Sequence, residues 1–154
     1  MTTQEWPLGR FFSFLTKQYI GKLAQRMEHT PVERYYFPLY LIGKNNGLAC
    51  QQELANQLLT DKVSLVRILD ALESDGFIER KTNPCDRRQH LLSITPKAEP
   101  WILEIEKGIK ETNDYFFSLL DPSLHANFEL ILTELITKTQ EIPADQFEIF
   151  YNKK

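Results

Sequence analysis

Between Leu48 and Thr95 the chain writes two short helices at a tight corner and then a charged hairpin, all in fewer than fifty residues. Leu54, Ala55 and Leu58 form a short apolar edge over 51–58, and Thr60-Asp61 offers a helix start almost at once. The next helix turns Leu65, Ile68, Leu69 and Leu72 inward and Lys62, Val63, Ser64, Val66, Arg67 and Asp70 outward, with Gly76 where a left-handed C-terminal cap belongs. Phe77–Lys81 and Gln89–Ile94 are strand-like runs joined through Asn83-Pro84, the pattern of a hairpin. Helix, helix, strand, basic turn and strand, in that order, is the layout of a winged helix-turn-helix.

Charge decides where a nucleic acid could touch such a unit. The formal net charge is -3, which excludes a general polybasic coat and requires any DNA contact to be local. Residues 80 to 97 supply the locality, with Arg80, Lys81, Arg87, Arg88 and Lys97 against the single acid Asp86. A wing tipped with arginine suits the minor groove, where negative potential is focused, while cations at its base suit phosphates. A charged loop standing alone would be an ordinary solvated loop, and an amphipathic helix standing alone an ordinary surface helix. Their succession is what points to DNA.

The flanks read as helix. Leu8, Phe11, Phe12, Leu15, Tyr19, Leu23 and Met27 recur at steps of three and four after Pro7, so a first helix is expected over 7–28. Thr30-Pro31-Val32-Glu33 has the form of a second helix start, running to Gly43 with a kink or break at Pro38. Thr95-Pro96 is expected to cap a helix with an apolar seam of Ile102, Ile105, Ile109, Phe116 and Leu120, its first turn irregular at Pro100. A last helix carries Leu124, Phe128, Ile131, Leu132, Leu135 and Ile136, followed by an apolar tail with Phe147, Ile149, Phe150 and Tyr151. The 154 residues, 42% hydrophobic, fit one domain that buries roughly two-thirds of its unfolded surface.

Spacing and order together carry a resemblance. Gln51-Gln52-Glu53-Leu54-Ala55, Asp61-Lys62, Arg67 through Glu73, Gly76-Phe77-Ile78-Glu79-Arg80, Asn83-Pro84-Cys85-Asp86-Arg87-Arg88 and Ile94-Thr95 resemble the MarR family of bacterial transcription regulators. The resemblance implies a mainly α protein: a winged helix-turn-helix lobe over 31–95, its wing near 77–94, carried on dimerisation helices from 1–30 and 96–154. It also implies a homodimer on a pseudo-palindromic operator of double-stranded DNA, recognition helices in successive major grooves, and Asp86 and Arg88 of the wing at the minor groove. A repressor relieved by a small ligand is the expected role. Gln51, Lys62 and Lys81 are then candidates for phosphates, Ser64 and Arg67 for base edges or nearby phosphates, and Arg87 and Arg88 for the wing. Val63 and Val66 depart from the small polar residues frequent in the family and are candidates for thymine methyl contact or for local packing.

Other features divide between site and structure. Tyr19, Tyr35, Tyr36 and Tyr40 fall where MarR-like dimers wall a cleft for small aromatic effectors, although aromatics at helical spacing more often pack a core. Cys50 stands where a serine or threonine normally caps a helix and Cys85 stands in the wing, so a thiol sensor is an alternative, as is a winged helix that docks protein rather than DNA. The redox-sensing members place their cysteine early in the first helix, where this chain has none. His29, His90 and His125 are scattered, and no phosphate cradle or metal-ligand spacing is present, so neither an enzyme nor a bound metal or cofactor is expected. Two cysteines, no apolar run near the ~18 residues of a membrane helix and no signal peptide give a cytoplasmic reading without a membrane partner.

Overall fold

The computed structural model describes residues 6–45, 49–58, 60–84, 86–87 and 89–139. The elements run α1 (Leu8–Met27), α2 (Tyr36–Lys44), β1 (Ala49–Cys50), α3 (Gln51–Leu58), α4 (Lys62–Ser74), β2 (Ile78–Thr82), β3 (His90–Ile94), α5 (Glu99–Ser118), a 3-10 turn (Pro122–Leu124) and α6 (His125–Thr139). The chain is thus mainly α with a small hairpin. The tail beyond 139, with Phe147, Ile149, Phe150 and Tyr151, lies outside the described residues.

Two helix starts differ from expectation, each for a local reason. Residues 31–35 form turns, and the Thr30 hydroxyl bonds back to the Met27 carbonyl at 2.8 Å, so it is spent on the end of α1 and cannot cap a new helix. The next helix begins at Tyr36, which puts Pro38 in its first turn. No intrahelical acceptor exists for an N–H there, so Pro38 neither kinks nor breaks α2. Likewise Thr95 sends its hydroxyl to the Gly76 carbonyl at 2.7 Å, and α5 starts later, at Glu99, with Pro100 in its opening turn.

The core joins the two short helices to the sheet and to α5. Leu39 and Ile42 of α2, Leu54 of α3, Leu65, Leu69 and Leu72 of α4, Ile78 and Leu92 of the hairpin and Ile105 of α5 are fully buried together. The hairpin strands pair antiparallel from Ile78 opposite Ile94 to Thr82 opposite His90. A third strand not foreseen from sequence, β1, pairs with the other edge of β3, Ala49 opposite Leu92 and Cys50 opposite Leu91, giving the order β1-β3-β2. Its two residues are too few to show a strand period.

α1 lies on α5, where Gly108 lets the helices approach: a Cβ there would sit 2.6 Å from Met27 Cε. Arg26 with Glu111, and Lys44 Nζ with Glu106 Oε1 at 2.6 Å, bind α1 and α2 to the same helix. By contrast α6 buries none of its residues, and α1 buries only Leu23 and Met27.

Candidate nucleic-acid interface

α4 is fixed at both ends by its own sequence. Asp61 caps it, one carboxylate oxygen accepting the N–H groups of Val63 at 2.8 Å and Ser64 at 2.9 Å. Hydrogen bonding from Ser64, first through its side chain and then its backbone, holds the Asp61 carboxyl below the usual carboxylate range. At the far end Gly76 takes φ +73°, its N–H bonds the Glu73 carbonyl and the Phe77 N–H bonds the Leu72 carbonyl, both at 2.9 Å. That is a Schellman closure, and it sets the chain on course for β2.

α3 is capped by a cysteine in place of the usual hydroxyl residue. The Cys50 N–H donates to Glu53 Oε2 at 3.2 Å and the Glu53 N–H donates to Cys50 Sγ at 3.5 Å, a reciprocal capping box with sulfur as one acceptor. Cys50 is half-buried and serves structure here, while Cys85 lies outside the described residues.

The expected DNA-contact residues separate into groups. Lys62, Val63 and Arg67 are exposed on α4, Ser64 and Val66 are half-buried on it, and Gln51 is half-buried at the start of α3. Val66 is therefore not the fully outward residue expected from sequence: it stands one turn before buried Leu69, at the border of the inward face, and is partly covered. Lys81 is exposed on β2 and pairs with Glu79 at 3.2 Å. Arg87 is exposed in the hairpin turn; Asp86 is half-buried there, its carbonyl accepting the Gln89 N–H at 2.9 Å, and Arg88 lies outside the described residues.

The basic patch of 80–97 is smaller than its composition. Arg80, its side chain only 19% exposed, donates from Nη2 to Asp70 Oδ1 at 2.6 Å, with Nε 3.5 Å from Glu73 Oε2. Lys97 donates to the Asp75 carbonyl at 2.6 Å and lies over the Phe77 ring. Both cations brace the hairpin against the end of α4. Strand alternation held the signal for Arg80, which shares a strand face with buried Ile78 while Glu79 and Lys81 point away.

The four tyrosines divide between the core and the α1–α5 contact. Tyr35, Tyr36 and Tyr40 pack against the core. Tyr19 donates to Asn113 Oδ1 at 2.6 Å and lies against Phe116, and its phenol pKa is raised by burial and then by nearby Tyr40. An open groove of about 420 Å³ nearby is lined by Gly21, Ala24, Gln25, Glu28, Glu33 and Arg34, and by none of the four.

Two helices at a corner, the second rigidly capped, exposed along one face and braced by a three-stranded hairpin sheet, define a winged helix-turn-helix DNA-binding protein. The sequence profile of the MarR family matches residues 36–90. A protein of Thauera aromatica named as a transcriptional regulatory protein for the hcr operon is 31% identical over 110 residues, 71% of this chain and 66% of that protein's length. The crystal structure of MarR superposes with a TM-score of 0.74 at 26% identity, covering 88% of this chain and 98% of that one. The chain belongs to the MarR family of transcription regulators. The repressor CouR bound to a 23-mer DNA duplex (TM-score 0.74, 24% identity, 90% of this chain and 98% of that one) shares the fold. So does a MarR regulator of Methanosarcina mazei (TM-score 0.79, 20% identity, 88% and 98%).

Proposed function

We propose that this chain is a homodimeric repressor that binds a pseudo-palindromic operator in the cytoplasm, with α4 in the major groove and the hairpin turn at the minor groove. The observation that carries the reading is α4 itself: a helix immobilised at both ends whose free first turns offer Lys62, Val63 and Arg67. Lys62, Gln51 and Lys81 are suited to phosphates, Ser64 and Arg67 to base edges or adjacent phosphates, and Arg87 with Arg88 to the wing contact. Its chemistry is binding rather than catalysis.

Dimerisation is supported by what α6 leaves uncovered. Leu130, Ile131 and Ile136 on that helix, and Leu8, Phe12 and Leu15 on α1, are exposed apolar side chains on helices that bury little within one chain. A second copy covering them removes the cost of presenting that area to water. A small aromatic molecule is the effector class that suits exposed Phe37 stacked on Tyr40.

Titrating full-length protein into labelled duplex DNA over a range of salt tests the reading. Binding should weaken with a log-log slope of about -0.9 for each phosphate neutralised, and sedimentation at micromolar concentration should give a dimer. Failure to bind any duplex, or a salt-independent affinity, overturns it in favour of a protein-docking module.

A further inference from the structure

Val63 is the one large apolar side chain exposed among the described residues between 49 and 97, at 62% of its free area. Every other such side chain lies on α1, α2, α5, α6 or the turn between the last two. An isolated exposed valine is too small a patch to dock a protein. Its position is nevertheless fixed by the cap of α4. Its N–H is held at 2.8 Å by the Asp61 cap, it lies in the first turn, and its neighbours on the outer face are Lys62 and Arg67. A β-branched residue in a helix keeps essentially one rotamer, so the two methyl groups stand at a fixed height above the backbone and little side-chain entropy is lost on contact.

What such a group can meet follows from the chemistry of the groove. The first turn of a recognition helix faces base edges, and the only apolar substituent on a major-groove edge of unmodified DNA is the 5-methyl of thymine. Half-buried Val66, one turn further on, extends the apolar ridge. Resting on the DNA-binding reading above, we infer that Val63 is a specificity-determining residue that selects a thymine in each half-site through its methyl group. Lys62 beside it supplies affinity without sequence, whereas Val63 supplies sequence with little affinity.

The test isolates one methyl. Duplexes are first selected from a random-sequence pool with the full-length protein, and each dT of the best duplex is then replaced in turn by dU. For the wild type, one position per half-site should lose about fourfold in affinity, and about fifteenfold when both half-sites are changed together. With Val63→Ser, the same replacements should cost less than about twofold, its thermal unfolding staying at the wild-type midpoint because the residue is exposed. A wild type that tolerates dU at every position, or a Val63→Ser protein with the same dU penalties, overturns the assignment while leaving DNA binding intact. A wild type that selects no duplex removes the DNA-binding reading and Val63 with it.

Discussion

Replacing Arg80 by alanine separates a brace from a DNA contact. Its guanidinium reaches two carboxylates of α4, Asp70 at 2.6 Å and Glu73 at 3.5 Å. Both partners are well over a third exposed, so each ion pair is worth no more than a surface pair, and the loss of stability should be about 1 kcal/mol. For a chain of this length that is a fall of roughly 2–4 °C in Tm, read by circular dichroism. The effect on DNA comes by another route. Removal of the cation leaves one more uncompensated negative charge on each recognition helix, and at ~8 Å from a phosphate in water that charge costs roughly 0.5 kcal/mol. In the proposed dimer the two protomers double this to about 1 kcal/mol, a fivefold weaker Kd at low salt that shrinks as screening sets in. Asp70→Asn in the Arg80→Ala background should restore the affinity without restoring the melting point. Fluorescence anisotropy on a labelled duplex reads it. An affinity loss of a hundredfold that Asp70→Asn does not relieve would place Arg80 on the DNA and refute the reasoning.

Two further perturbations probe the scaffold. Asp61→Ala removes the cap of α4 and should lower Tm by roughly 2–4 °C, with Asp61→Asn close to wild type. Because the Asp61 carboxyl is held below its usual range, its contribution is present above the unfolded pKa of about 3.9 and is lost as pH falls through the lower folded value. The deficit of Asp61→Ala should therefore be constant from about pH 5 to 8 and close only in stronger acid, as denaturant titrations at several pH values will show. Gly108→Ala gains helix propensity of about 1 kcal/mol but drives a Cβ to 2.6 Å from Met27 Cε in the core, an overpacking cost of about 2 kcal/mol. The net is a destabilisation of about 1 kcal/mol in urea unfolding, and a stabilised variant would show that Met27 yields freely.

Legibility followed the strength of local signals. α3, α4 and the hairpin were readable because apolar period, the Asp61 start and the Gly76 stop all agree, the first end closed by the Asp61 cap and the second by the Schellman turn. Thr30 and Thr95 misled because a hydroxyl can cap a helix ahead of it or bond a carbonyl behind it, and both residues do the second. The chemistry of the patch was overstated for a related reason. A list of cations does not say which are already paired, and the partners of Arg80 lie seven and ten residues upstream on another element. Val66 sits at the border of the two faces, three positions before buried Leu69, where a division into inward and outward residues is least sharp. Cys50, by contrast, is legible as a cap from its place just before α3, and its sulfur accepts the bond that serine oxygen would.

The junction after the wing has a mechanical consequence. Three bonds tie the approach to α5 onto the closing turn of α4: the Thr95 N–H to the Phe77 carbonyl, its hydroxyl to that of Gly76, and the Lys97 ammonium to that of Asp75. α5 then extends for 20 residues, a rod of about 30 Å. Pivoted at its distal end, that rod moves its fastened end by roughly 2.6 Å for each ~5° of tilt, about the length of a hydrogen bond. A small angular change at the base of the molecule thus reaches the end of α4 and the root of the hairpin as a full bond length of translation, and the hairpin tip need not bend to pass it on.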